Sequence, residues 1–552
     1  MAVNDAAAGA ATRDRRSGFD PVWPAAAAAL ICAAPLIAVA VIAVAGPWTD
    51  YILHIARTRL PDYLANTAAV TLVAAATAGA GGASTAWFVA RYAFPGRRAF
   101  EWLLALPLAM PAYAAAYGWY DLTQVAGPLP AWFPTVRGPL GAGLIFGFTL
   151  YPYVYLLARE AFAGQSSEAY EAARTLGSGP RDAFLRAALP MARPAVAAGL
   201  ALVIMETLAD YGAVVHLGAP TLSVGLIRAW AGEGSTADAA RIAMILVAFA
   251  FLLFYLERSQ RRRARRSAAS GRRRPARRVR LAGGRGWAVA GMCAVPLLLG
   301  LLIPLGRLAW RALNAPIATD LAASASNSLM LAAISGTIAA GLGLAAAYAL
   351  RSGRRRAVAA ARLAGLGYAV PGAVAAVGVL ALLGWLQTGL DAVAGALLGA
   401  QFPLLLGGGV VALVFAYQSR FAAAAIGPAE TALSRVTPTL DGAARTLGAG
   451  PREIAWRVHR PLITPGILLA GLLVFVETLK ELPATMILRP FDFSTLAVTA
   501  HNYASDERLG EAAAPAVLLA LLALGPMIWI ARRITREERL RAPDAAGLGD
   551  PG

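Results

Sequence analysis

The sequence predicts an all-α polytopic membrane protein, with about twelve transmembrane helices in two parallel-repeat halves. Three observations carry that reading. The 552 residues are 58% hydrophobic and only 15% charged, with a mean hydropathy of +0.58, whereas soluble domains carry about a quarter of charged residues. Apolar runs such as 25–44 and 512–530 approach the ~20 residues that cross a hydrocarbon layer. Residues 171–210 align without a gap on 442–481 at an offset of 271, with seventeen of forty positions identical. A soluble enzyme and a disordered chain are both excluded by this composition.

The elements follow in order. Residues 1–23 are small or polar, with Arg13, Arg15 and Arg16, and the apolar run after them is too long for a signal-peptide core. They read as a cytoplasmic tail before a retained helix. The first half gives spans near 24–46, 67–90, 100–120, 139–158, 195–216 and 239–256. The second gives 286–308, 328–350, 358–386, 403–418, 466–488 and 512–531. The stretch 403–418 is short, opens with Pro403 and contains Gly407–Gly409, all poor helix signals.

Charge sets the orientation. With the N-terminus inside, forty of the 49 arginines fall on the inner side and nine outside, so both termini are expected in the cytoplasm. The formal charge of +19 does not point to nucleic acid, because +12 of it sits in 257–285, which lacks interleaved aromatics. That stretch reads as a flexible linker beside anionic headgroups. Cys32 and Cys293 lie inside apolar runs and read as small buried residues. Lys480 is the single lysine and follows no glycine loop, so a Walker A phosphate site has no place in this chain.

The repeated stretch lies on the cytoplasmic side of each half. It shares Ala-Ala-Arg-Thr-Leu-Gly at 172–177 and 443–448, Gly-Pro-Arg at 179–181 and 450–452, and Glu-Thr-Leu at 206–208 and 477–479. Pro190 and Pro194 match Pro461 and Pro465. Earlier, Asn66-Thr67 resembles Asn327-Ser328, and Pro111 resembles Pro371. The pattern reads as helix, tight turn, helix: Ser167 as N-cap, Gly177 as a left-handed stop, and Pro180 in the next first turn.

These residues resemble a known family. Glu171-Ala-Ala-x-x-x-Gly177, followed after nine residues by Ala187-x-Leu189-Pro190, is similar to the EAA loop of binding-protein-dependent ABC importer permeases. The resemblance spans about 60–258 and 325–533 and implies the MetI-like permease fold. It implies that Glu171, Ala172, Ala173 and Gly177, with Asp441, Ala443, Ala444 and Gly448, form loops that dock on two cytoplasmic ABC ATPase subunits. In the second copy Gly442 replaces the glutamate, Asp441 lies one residue earlier, and Arg460 replaces the leucine before Pro461. The expected division is a tail and first helix (1–60), a first permease unit (61–258), an Arg-rich linker (259–285), a seventh helix and outer loop (286–326), a second unit (327–534) and a tail (535–552). A bacterial inner-membrane location follows, with a periplasmic or extracellular substrate-binding protein as a further partner. No cofactor is expected in this chain, with ATP held on the partner subunit.

Glu206 and Glu477 fall inside membrane spans, each with an acidic residue four positions on, Asp210 and Glu481, and with Tyr211 and Lys480 nearby. Spacing of four puts each pair on one helix face. Two interpretations stand: carboxylates of a cation path, or carboxylates neutralised by Lys480 and nearby hydroxyls at the interface of the halves. The stretches after both glutamates look like those of ferric-iron permeases, which implies Fe³⁺ as substrate with transient contact at Glu206 and Glu477. Carboxylate and phenolate oxygens suit that hard cation. Thiamine and phosphonate permeases are close relatives of the same class. A proton-driven secondary carrier is the alternative from another class, and an enzyme lacks any catalytic motif here. His54, His216, His459 and His501 are scattered and read as ordinary loop or interface residues. Outer loops 217–238 and 489–511 are expected to meet the binding protein through 221–230 and 495–503.

Overall fold

The computed structural model describes residues 22–130, 132–164, 167–267, 278–281, 283–316, 320–398 and 408–541. The first half contains α1 (Val22–Ala45), α2 (Leu60–Arg91), α3 (Arg97–Leu103), α4 (Ala112–Thr123), α5 (Gly138–Gly164), α6 (Ser167–Thr175), α7 (Pro180–Ala209), α8 (Gly212–His216), α9 (Leu222–Ala231) and α10 (Thr236–Ser267). The second repeats this order as α11 (Gly284–Leu313), α12 (Leu321–Ser352), α13 (Arg355–Ala364), α14 (Gly372–Leu398), α15 (Val410–Ser434), α16 (Pro438–Thr446), α17 (Ile454–Lys480), α18 (Pro483–Leu488), α19 (Leu496–Ser505) and α20 (Leu509–Arg541). Among the described residues ten helices are long and apolar enough to cross a membrane, and the pair 97–109 and 112–123 passes the same test together across a bend of 91°. The 32-residue α10 takes the place of the sixth expected span.

Several expected spans are broken. The spans expected at 100–120 and 358–386 each divide before a proline, Pro111 and Pro371, which offers no N–H to continue the ladder. Those expected at 195–216 and 466–488 stop at Ala209 and Lys480 and resume as α8 and α18. The span expected at 403–418 is displaced: Gly408 and Gly409 take φ of 138° and 108°, so α15 starts at Val410 and runs to Ser434. Residues 399–407 lie outside the described set. The linker also differs from the flexible segment expected from 257 on, because α10 continues as helix to Ser267. Among the described residues the all-α class holds apart from one small pairing, in which Val279–Arg280 lies parallel to Tyr92–Ala93.

Small residues let the helices of each half approach closely. A Cβ on Gly82 would lie 2.6 Å from the Val154 side chain, and one on Gly147 would lie 2.4 Å from Thr77, so α2 and α5 touch almost backbone to backbone. Gly343 against Ala425 repeats this between α12 and α15.

The first helix of each half reaches across to the other half while also packing on the last helix of its own. α1 lies along α13 and α14, while α11 lies along α4 and α20. A Cβ on Gly378 of α14 would stand 2.1 Å from the Pro35 carbonyl oxygen, and one on Gly118 of α4 would stand 2.7 Å from that of Pro304. Polar clamps fix the outer ends. Arg241 donates to the carbonyls of Ala43, Gly46 and Pro47 after α1 and pairs with Asp238 at 2.7 Å. Buried Asp121 of α4 accepts from Arg307 and from Arg311, the latter at 2.7 and 2.9 Å.

Gly378→Leu should therefore expel α1 and lower stability by about 1–3 kcal/mol, as overpacking does. Gly384→Leu on the same helix meets nothing within 4 Å and should melt like the parent in a thermal scan.

Candidate functional site

The broken spans build the centre of the molecule. α7 ends where Asp210 turns extended (φ −75°, ψ 143°), and α17 ends where Glu481 does so (φ −69°, ψ 124°). Each carboxylate then caps the short helix that follows. Asp210 Oδ1 accepts from the Ala213 N–H at 2.8 Å, and Glu481 Oε2 accepts from Ala484 and Thr485 at 3.1 and 3.2 Å. The expectation that Glu206/Asp210 and Glu477/Glu481 share a face of one unbroken helix is therefore corrected. The backbone breaks at the second acid because its side chain takes over the next helix's free donors.

A cavity of about 70 Å³ lies between the halves, lined by Glu206, Asp210, Glu477, Lys480, Glu481 and Arg420. Its apolar wall includes Met110, Pro111 and Tyr113. Lys480 Nζ lies 3.1 Å from Glu477 Oε1 and donates to the Leu108 carbonyl of the other half at 3.2 Å. Arg420 Nη2 lies 3.1 Å from Glu206 Oε2, and its Nη1 lies 3.7 Å from Glu481 Oε1. Five of the six path residues expected from sequence therefore meet in one cavity. Tyr211 does not join them and instead meets His501 edge-on at 5.5 Å.

Arg420 was missed, and counted with the cytoplasmic arginines, because the fourth span of the second half was placed too early. The available signal was an arginine inside the apolar stretch 410–426. In this conformation Glu206 and Glu477 each face a basic partner. Among the described residues no three or more His, Cys, Asp or Glu side chains stand together as a metal site.

The two repeated loops share one geometry. Gly177 and Gly448 sit at φ of 90° and 86°. The Ser178 N–H bonds to the Ala173 carbonyl and the Ala449 N–H to that of Ala444, both at 3.0 Å, closing each helix with a Schellman turn. Ala172 and Ala443 are exposed, and Ala173 and Ala444 half-buried. At the tips Leu176 and Leu447 are 85% and 88% exposed, an apolar pair with no packing role in this chain. Pro180 opens the next helix. The side chain of Ser167, expected as N-cap, lies outside the described residues.

The roots of the loops differ. Glu171 pairs with Arg91 at the end of α2 at 3.3 Å. Arg351, at the end of α12, pairs at 2.8 Å with Asp441 rather than with the aligned Gly442. One turn of displacement along the helix is not needed: the neighbouring position reaches the same arginine. Asp441 also accepts from His459, which meets Tyr348 at 2.8 Å on its other nitrogen. His459 is thus a root of the second loop, beyond the ordinary role read from sequence.

On the side opposite the loops the matched Asn66 and Asn327 donate to the carbonyls of Pro220 and Ser494, both at 3.0 Å. Thr67 and Ser328 accept from the N–H of Leu222 and Leu496, at 3.0 and 2.8 Å. These contacts draw α9 and α19 inward. Leu222–Ile227 and Leu496–His501 are buried, so the expectation that 221–230 and 495–503 present a docking surface is corrected. Trp132 and Phe491, at 81% and 100% exposure, stand out on that face together with Val125 and Leu313, at 98% and 86%. His216 packs on Tyr117 and Tyr120, and His501 bonds Tyr117.

Residues 81–266 match the family of binding-protein-dependent transport system inner membrane components. An Fe(3+)-transport system permease protein of Haemophilus influenzae is 24% identical over 86% of this chain and 90% of its own length. A sulfate transport system permease protein of Escherichia coli is 32% identical over 27% of this chain and 57% of its own length. A probable molybdenum ABC transporter permease protein of Haloferax volcanii is 31% identical over 33% of this chain and 71% of its own length. The repeat, the paired loops and these matches agree: the chain belongs to the binding-protein-dependent ABC importer family, as a multi-pass inner-membrane permease subunit that works with a separate ATPase and a substrate-binding protein and is not itself an enzyme.

Proposed function

We propose that the substrate carried is ferric iron. The cavity supports this best, because four carboxylates face two basic groups there. A sulfate or molybdate ion would meet like charge at low dielectric, where repulsion is strong. The double-length match also favours iron: the Fe(3+) permease aligns with both halves, while the sulfate and molybdenum permeases align with about a third of the chain or less. No resident cofactor is assigned to this chain; ATP is held by the partner.

Both loops engage an ATPase, one subunit each, with Leu176 and Leu447 as the inserted side chains and Ala172, Ala173, Ala443 and Ala444 allowing close approach. Gly177 and Gly448 hold the turns. Both termini lie with these loops in the cytoplasm. The binding protein docks on the opposite face, at Trp132 and Phe491. α7 runs from the loop at Pro180 to Glu206, roughly 40 Å at 1.5 Å per residue. Each loop movement is thereby delivered to a cavity carboxylate by one stiff rod. The same holds for α17 and Glu477. Thus closing the ATPases rocks the halves about the cavity and alternates its access.

Three outcomes are expected. Membrane vesicles carrying the full complex should take up ferric iron supplied on its binding protein, with Glu206→Gln and Glu477→Gln each lowering the rate about tenfold; uptake of sulfate or molybdate instead would overturn the iron reading. Leu176→Asp combined with Leu447→Asp should abolish co-purification of the ATPase, while either change alone leaves partial capture. Asp441→Asn should speed amide exchange about tenfold in 438–446 but not in 167–175, measured by mass spectrometry, because only the second loop loses its root.

A further inference from the structure

The guanidinium of Arg420 has a place that nothing in the coupling or docking scheme uses. It is 9% exposed and lies at the centre of α15. Its two terminal nitrogens face carboxylates of different halves, Glu206 of α7 and Glu481 after α17. A planar fork with donors on two edges suits such a bridge, and an ammonium would not.

The surroundings are shaped for it. A Cβ on Gly372 would stand 2.1 Å from Glu481 Oε1 and 3.5 Å from Arg420 Nη1. The equivalent residue of the first half is Ala112, beside the shorter Asp210. Thr149 occupies the position equivalent to Arg420 and bonds only to its own helix, at Ile145 and Phe146, among the contacts described. The bridging cation therefore belongs to one half alone. Lys480, the cavity's other cation, also comes from the second half and reaches the first at Leu108.

The partners are held unequally. Glu481 is fixed by the N–H groups of Ala484 and Thr485 and by the Thr485 hydroxyl. Glu206 stands on the last turns of α7, the rod that leads to the first loop. Movement of α7 would separate Glu206 from Arg420 before it disturbs Glu481.

We propose that Arg420 is a gating residue, a tethered cation that holds Glu206 and Glu481 while the path is empty and yields those carboxylates to a cationic substrate in transit. This rests on the reading that the cargo is a cation. It assigns Arg420 two effects: it ties the halves together across the cavity, and it keeps stray multivalent cations from settling on the carboxylates.

The test is Tb³⁺ luminescence with the detergent-purified complex of permease and ATPase. Arg420→Gln should bind Tb³⁺ at least tenfold more tightly than the parent. Arg420→Gln combined with Glu206→Gln should return to the parent value. Where Arg420→Gln does not assemble, Arg420→Lys carries the test, since a lysine engages one carboxylate at a time and should raise Tb³⁺ affinity about threefold. A merely structural arginine would lose assembly without any gain in Tb³⁺ binding, and unchanged affinity in the assembled variants overturns the gate. Vesicle uptake separates the two claims. Oxyanion transport overturns the cation reading, whereas unchanged Tb³⁺ affinity overturns the gate even where iron is carried.

Discussion

A helix that stops midway through a bilayer exposes backbone groups where no bulk water can satisfy them, and this molecule breaks two of its helices at acidic residues of the central cavity. Each unsatisfied group would cost several kcal/mol. Asp210 and Glu481 resolve the problem by accepting the freed N–H groups of the next short helices. A carboxylate at a helix N-terminus is also favoured by the local dipole. The same two side chains then line the path. Capping a broken helix and lining the cavity are thus one arrangement.

The repeat is symmetric in backbone and asymmetric in charge. α7 and α17 both enter through a π-helical turn, Phe184–Ala188 and Ile454–His459, and both end at an acidic cap. Yet both cavity cations come from the second half. The second loop likewise is tied to α12 through Asp441 and His459, although Gly442 stands where the first loop has its glutamate. Fusion of two copies into one chain allows such division, because each copy always meets the other and never itself.

Much of this was legible beforehand. The loops were visible because glycine at a left-handed position and proline in a first turn are local requirements, and local requirements leave marks at fixed spacing. The carboxylates were visible because charge in an apolar run is rare. The helix breaks at Asp210 and Glu481 were not, since an acidic residue four positions after another also fits a continuous helix. Arg420 was hidden by a boundary error: Gly408 and Gly409 end one segment and begin another, and only backbone geometry shows which. The inward folding of α9 and α19 was equally hidden, although its cause, Asn66-Thr67 and Asn327-Ser328, stood out as a repeated pair. A repeat reports that two places are alike, and the contact made there is decided by a chain segment some 155 to 168 residues away.

The exchanged first helices impose an order on biogenesis. α1 is made well before α14, and its seat against Gly378 exists only after some 340 further residues have been made. At about 5–20 residues per second, that is roughly 20 to 70 seconds. Throughout this time α1 stands in lipid with its groove-facing side uncovered. A helix that is apolar throughout tolerates that wait, since lipid tails replace the missing protein at little cost. The alanine-rich face of α1 is therefore suited to two successive solvents, first lipid and then α14.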